Sequence, residues 1–272
     1  MKKILCPTDF SATSYNAITY AAKLAQVTNC DLTLLNVQSM FDFTPVEFIT
    51  GKEFTLKATA ERLQAQCKEV SNVFRIACSA IVEPTYNKLS TVISEKSAPY
   101  DLLVMGSNGP DDLYQFFLGT NTYHALAKTK TPVLLVPEGA LYSDIKKMVY
   151  AFNYLRERKL PIEPLLEFAK SINCELTILQ VMEEAYSKEA EEELRELQFI
   201  LKTRLDGSPA INFDTIRSTE VARSINDYIL KHQPDALALC STHRNVIENL
   251  FHKSIIKNIS AVCSYPVFVF QG

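Results

Sequence analysis

Glycine is scarce in this chain, with seven in 272 residues. Long apolar runs are missing as well. None approaches the roughly 20 residues that a membrane-spanning helix needs, so no membrane partner is expected. Lys2 and Lys3 are followed by only a short apolar stretch before Thr8 and Asp9, which does not have the pattern of a secretory leader. The formal net charge is −3, so the chain has no basic footprint for nucleic acid. The seven cysteines are an odd number without paired metal spacing. Cys6, Cys30, Cys78, Cys174, Cys240 and Cys263 sit in or beside apolar runs and read as small buried hydrophobes of a reducing cytoplasm. His124, His232 and His252 have no partners at metal-ligand spacing. Several catalytic signatures are also absent: a Gly-Lys-Ser/Thr phosphate loop, a nucleophile elbow, a Ser-His-Asp grouping, and the His-x-Gly-His or Ser-Gly-Gly-x-Asp-Ser signatures of adenylate-transfer enzymes.

Against that scarcity, three glycines fall within fourteen residues. The apolar run Leu102 to Met105 leads into Gly106-Ser107-Asn108-Gly109, and nine residues later stands Gly119-Thr120. A short apolar run of this kind reads as a buried parallel strand, with Gly106 and Gly109 at its end. Gly119-Thr120 opens a segment that reads as a helix over 120–130. In an open α/β sheet, ligands bind beyond the carboxyl ends of the strands. Glycines there admit close backbone approach, and a helix N-terminus offers free N–H groups to an anion. The pattern points to a cradle for a nucleotide phosphate.

Gly-x2-Gly-x9-Gly-Thr resembles the nucleotide-binding motif of the universal stress protein family. Lys2 to Ser11 resembles that family's first strand and the acidic turn after it, and Thr131 to Pro137 resembles its last strand. The resemblance covers residues 1 to about 138. It implies a five-stranded parallel sheet in the order 3-2-1-4-5, with the nucleotide where the order switches between strands 1 and 4.

The chain also repeats itself. Lys146-Lys147-Met148-Val149 restates Lys2-Lys3-Ile4-Leu5, and Asn173 to Val181 restates Asn29 to Val37, both at an offset of 144 residues. Pro234 to Leu239 then restates Pro99 to Val104, and Pro266 to Val269 restates Pro132 to Leu135, at an offset of 134. Two copies of one fold follow, the second shorter by ten residues. The expected domains are 1–140, a nucleotide-binding domain of the universal stress type, and 145–272, a degenerate domain of the same type. Both would be Rossmann-like α/β domains with helices on both faces of a parallel sheet. Strands are expected near 3–7, 32–38, 75–82, 101–106 and 132–137, and helices near 12–28, 55–71, 86–97 and 120–130. Ser11 is a plausible N-cap for the first helix. The acidic stretch Glu183 to Arg204 reads as an amphipathic helix with a solvated face. The copies are expected to pair within the chain as a pseudo-dimer through their last strands, Leu134 to Val136 and Phe268 to Phe270. A homodimer of chains is compatible with that arrangement.

The second copy lacks the cradle. Gly106, Gly109 and Gly119 become Cys240, His243 and Lys253; Thr120 becomes Ser254, and Asp9 becomes Asn153. A side chain at each glycine position obstructs close backbone approach.

In the first copy, the resemblance assigns roles. Asp9 stands where the family's acidic residue lies near the adenosine; it equally suits a cap for the first helix. Val37 resembles the residue that contacts adenine, though a lone valine at a strand end is unremarkable. Gly106 and Gly109 would line the ribose and phosphates, Gly119 and Thr120 would meet the phosphates, and Pro7 and Thr8 would shape the pocket floor. The loop between Gly109 and Gly119 carries Asp111 and Asp112 and no basic residue. Beside a triphosphate these carboxylates either bind Mg²⁺ as a bridge or point to solvent. The expected function is a stress-response module of the cytoplasm that binds ATP or another adenine nucleotide in its first domain, and that senses or protects rather than turning over quickly. Two rivals stand beside it: a slow ATP hydrolase or phosphotransfer protein in the same pocket, and a nucleotide-free interaction protein.

Overall fold

The computed structural model describes residues 1–41, 52–107, 125–126, 128–152, 162–182, 192, 195–196, 198–199, 210–241 and 265–271. The chain divides into two compact units, Met1–Tyr142 and Ser143–Gly272. In the first, the described elements are β1 (Lys3–Pro7), α1 (Ala12–Thr28), β2 (Asp31–Ser39), α2 (Lys52–Phe74), β3 (Cys78–Thr85), α3 (Leu89–Ser97), β4 (Leu102–Ser107) and β5 (Val133–Pro137). Its strands are all parallel, in the order β3-β2-β1-β4-β5. Right-handed crossovers then place α1 and α2 on one face and α3 on the other. Both faces being covered, β1, β4 and β5 carry continuous apolar runs: Ile4 to Cys6, Leu102 to Met105 and Val133 to Val136 are all buried. The expected fold class is the observed one.

The second unit comprises β6 (Lys147–Phe152), α4 (Ile162–Ser171), β7 (Glu175–Met182), β8 (Ile211–Arg217), α5 (Val221–His232), β9 (Ala236–Ser241) and β10 (Val267–Gln271). Its order is β8-β7-β6-β9-β10, again all parallel. This is the same 3-2-1-4-5 arrangement, and the repeat extends to single bonds. The carboxylate of Asp101 accepts the backbone N–H groups of Lys2 and Lys3 at 2.6 and 2.9 Å. Asp235 accepts those of Lys146 and Lys147 at 2.9 and 2.8 Å. Asn29, after α1, and Asn173, after α4, both take the left-handed conformation, at φ 52° and 51°. Asparagine tolerates that conformation better than most residues, which suits it to end a helix.

Helix α1 starts as its sequence suggests. The Ser11 side chain accepts from Ser14 N at 3.2 Å and caps the first turn. Ala17, Tyr20, Ala21, Leu24 and Ala25 form the buried face. The α1 residue Asn16 reaches across to the carbonyls of Pro137 and Ala140 at 2.9 and 2.8 Å, and Tyr20 Oη donates to Leu141 O at 2.7 Å. These bonds tie the segment after β5 to the first helix.

The register of β3 differs from the expectation by three residues: 78–85 in place of 75–82. The apolar stripe Leu63, Cys67 and Val70 carries α2 on to Phe74. Arg75, at φ 55°, then makes the turn that the sequence reading assigned to the strand. Pro84 lies inside β3 because β3 is an edge strand, where a missing N–H can face away from the ladder. Most of the helix expected over 120–130, and of the acidic helix over 183–204, lies outside the described residues. Glu192, Arg195 and Glu196, which are described, are exposed. Among the described residues, no helix is long and apolar enough to cross a membrane.

Candidate functional site

The strand order reverses between β1 and β4. The chain leaves β1 toward β2 and β3 on one side and returns to β4 on the other, so the carboxyl ends of β1 and β4 are neighbours with no helix connecting them directly. That is the place where open α/β sheets hold ligands. Pro7 ends β1 and pairs with Leu35. Val37 lies two residues further along β2, half-buried, and pairs with Glu83 on the far side. Gly106 and Ser107 close β4 and pair with Val136 and Pro137. Pro7, Thr8, Asp9, Val37 and Gly106 are thus gathered at one end of one sheet. Gly109, Gly119 and Thr120, with Asp111 and Asp112, lie outside the described residues, as do Asn153, His243, Lys253 and Ser254 of the second copy.

Thr8 is buried, and its polar atoms are committed within the chain. Its N–H donates to Leu35 O at 2.8 Å, which extends the β1–β2 ladder by one bond. Its hydroxyl lies 3.0 Å from Ser14 Oγ and accepts from Phe10 N at 3.1 Å. Its carbonyl accepts from Asn36 Nδ2 at 2.8 Å. Thr8 pins the turn between β1 and α1. That turn is unusual: Phe10 sits at φ 63°, a conformation rare for a bulky residue, beneath the Arg62 guanidinium at 4.0 Å from its ring centre.

Asp9, beside it, is exposed, and its Oδ1 accepts from Ser11 N at 3.0 Å. Burial by its neighbours pushes the carboxyl upward, but the hydrogen bonds from Ser11 and Ser14 outweigh it and hold the group below the usual aspartate value. Asp9 therefore shapes the helix entry and also presents an ionised carboxylate at the switch point.

Gly106 has a reason for lacking a side chain inside the fold itself. A Cβ there would lie 2.7 Å from Thr13 Cγ2 and 2.8 Å from Thr13 O. The first turn of α1 packs into that space, so the sheet-to-helix contact requires glycine whatever lies above it.

Asn36 was not among the residues singled out from sequence. It is buried at the carboxyl end of β2, and while its Nδ2 holds Thr8 O, its Oδ1 has no hydrogen-bond partner. The available signal was an amide directly after the apolar pair Leu34-Leu35 and before Val37. Of the two acceptors Asp9 and Asn36, only the Asp9 carboxylate is exposed, Asn36 Oδ1 being enclosed, and the described rim presents no cation except Arg62, which is engaged with Phe10. Such a rim fits the hydroxyl and amine donors of a nucleoside better than phosphates. Among the described residues, no group of three or more His, Cys, Asp or Glu side chains could hold a metal ion.

The sequence profile of the Universal stress protein family matches residues 1–137. Among solved structures, a universal stress protein from Archaeoglobus fulgidus superposes with TM-score 0.76 at 16% identity, covering 99% of this chain and 98% of that one. A putative universal stress protein from Pseudomonas aeruginosa superposes with TM-score 0.59 at 14% identity, covering 100% and 93%. A protein of unknown function from Pseudomonas aeruginosa gives TM-score 0.55 at 14% identity, covering 100% and 92%. At these identities the superpositions establish the fold alone. No curated protein matches the chain. The matched profile spans half of the chain and includes β1, β4 and the glycine pattern; the protein belongs to the universal stress protein family.

Proposed function

We propose that the first half of the chain (1–140) binds an adenine nucleotide, ATP by preference, and that the second half (145–272) does not bind one in the same way. The observation that carries this reading is the position of Gly-x2-Gly-x9-Gly-Thr. It begins at Gly106 in β4, whose end adjoins the turn carrying the ionised Asp9. A carboxylate repels phosphate and accepts from hydroxyls, so the nucleoside belongs near Asp9 and Val37. The phosphates would lie at Gly109, Gly119 and Thr120, as the motif's spacing suggests, with backbone N–H groups and the threonine hydroxyl as their donors. Mg²⁺ bridging Asp111 or Asp112 to the phosphates would relieve the repulsion that those carboxylates otherwise impose. With no nucleophile or general base assigned, the nucleotide serves as a signal or stabiliser in a stress-response role, which suits a cytoplasmic protein.

One observation favours a nucleotide-free interaction protein instead. Thr13 accounts for Gly106 without any ligand. Mass spectrometry of small molecules released from the purified, denatured protein separates the readings. An adenine nucleotide is expected near one equivalent per chain; its absence, with no uptake of added ATP, supports the rival. Conversion of added ATP to ADP by the protein would move the reading toward a slow hydrolase.

A further inference from the structure

The turn that carries Asp9 is held from behind by Asn36, on the neighbouring strand. Asn36 and Thr8 stand one step beyond the last β1–β2 pair, Pro7 with Leu35, and both are buried. Asn36 Nδ2 donates to Thr8 O at 2.8 Å, and Thr8 N donates to Leu35 O at 2.8 Å, so the backbone of Thr8 is fixed to β2 at both its polar groups. The Thr8 hydroxyl passes this constraint into the turn. The hydroxyl proton of Ser14 goes to Ser11 O at 2.9 Å, so Thr8 Oγ1 donates to Ser14 Oγ at 3.0 Å and accepts from Phe10 N at 3.1 Å. Phe10 is thereby kept at φ 63°, a conformation that a bulky residue holds only where its surroundings enforce it. Asp9 lies between Thr8 and Phe10, and its carboxylate closes the turn on Ser11 N at 3.0 Å.

An asparagine is a poor choice for this place if folding alone is served. Its Oδ1 is enclosed without a hydrogen-bond partner, a cost that an apolar side chain would not bring. The second copy separates what the fold needs from what the site needs. At the offset of 144, Asn36 becomes Gln180, and Thr8 becomes Phe152, a residue without a hydroxyl. Phe152 and Gln180 are themselves paired across β6 and β7, so the positions correspond. Asp9 becomes Asn153, which carries no charge. Residues that serve the sheet alone are kept in both copies: Asp101 and Asp235 at the strand starts, Asn29 and Asn173 at the helix ends. The residues of the lock are replaced in the copy that also lacks the carboxylate and the three glycines.

We propose that Asn36 is a positioning residue of the nucleotide site, holding Asp9 through Thr8 where its carboxylate meets a nucleoside hydroxyl. The inference rests on the nucleotide reading of the first half. Asn36 itself touches no ligand, because its amide is enclosed. Its effect reaches the ligand through the turn, since a hydrogen bond weakens steeply once its distance and angle are lost.

Two measurements test this. The first needs no ligand: urea midpoints at pH 6 for wild type, Asn36→Leu, Asp9→Asn and the double variant. Asp9 and Asn36 share no bond, so a role for Asn36 in packing alone makes the two effects additive. The expected result is coupling, with Asp9→Asn costing less than about half as much beside Asn36→Leu as it does in wild type. Asn36→Ser, too short to reach Thr8 O, takes the place of Asn36→Leu if that variant does not fold. The second measurement is calorimetric titration with ATP. Asn36→Leu should weaken binding roughly tenfold, as loss of one charge-assisted hydrogen bond does, and Thr33→Val should stay within about twofold of wild type. Thr33 lies on the same strand, but its hydroxyl bonds to Ser79 Oγ at 3.0 Å and not to the turn. Additive urea effects, or undiminished ATP binding by folded Asn36→Leu, would overturn the proposal. A wild type that takes up no ATP would remove the nucleotide reading, and the urea cycle would still decide whether Asn36 positions Asp9.

Discussion

Gly106 separates two explanations for a glycine that usually arrive together. Its missing Cβ is replaced by Thr13, whose methyl and carbonyl stand at 2.7 and 2.8 Å from the Cβ position. Gly106→Ala should therefore destabilise the first unit by about 1–3 kcal/mol, as overpacking of a buried contact does. Adding Thr13→Ala should restore only part of the loss, because the carbonyl contact is backbone and remains. Urea unfolding of the single and double variants measures both effects. Full recovery in the double variant would show that the methyl alone sets the requirement. At the same scale, Asn36 and Thr13 escaped the sequence reading for a physical reason. Their roles arise from contacts between segments distant in the chain, Asn36 with Thr8 and Thr13 with Gly106, which no local pattern encodes.

At the scale of elements, the parallel strands were legible because they are buried on both faces. Runs such as Leu102 to Met105 and Val133 to Val136 have no reading as amphipathic helices of their length. Helix α1 was legible from Ser11 and its apolar spacing. The edge strand β3 was misplaced because edge position tolerates Pro84 and part-exposed residues, so its pattern carries little signal. The turn between β1 and α1 bears on the site and has its own test. The Asp9 carboxyl is held below its unfolded value of about 3.9, so the folded state binds its proton less readily than the unfolded chain. That contribution is fully present above about pH 4 and is lost as pH falls through the folded value. Wild type should thus be more stable than Asp9→Asn at pH 6, and the gap should close below about pH 4. Urea midpoints measured from pH 7 to pH 3 follow it; a gap independent of pH would mean that the charge contributes nothing to the turn.

At the scale of the whole molecule, the repeat is visible in sequence and again in bonds. Asp101 and Asp235 clamp the starts of β1 and β6 in the same way, and Asn29 and Asn173 end α1 and α4 with nearly equal φ. The framework was thus kept in both copies while the glycines were kept in one. The candidate site was legible in its β1 and β4 parts, because a glycine pattern after an apolar run is local in sequence. The bond from Asn36 to Thr8 O behind it was not, because it depends on β1 and β2 lying side by side.

The central claim, one nucleotide site in the first half and none in the second, is tested most directly by calorimetric titration with a non-hydrolysable ATP analogue in the presence of Mg²⁺. About one site per chain is predicted for the wild type. Gly119→Lys copies the residue at Lys253 and should leave the protein folded while weakening binding roughly tenfold or more. On the proposed reading, in which Gly119 meets the phosphates, the added side chain would displace a charge-assisted hydrogen bond worth about 1.5–3 kcal/mol. Two sites per chain, or undiminished binding by folded Gly119→Lys, would contradict the account.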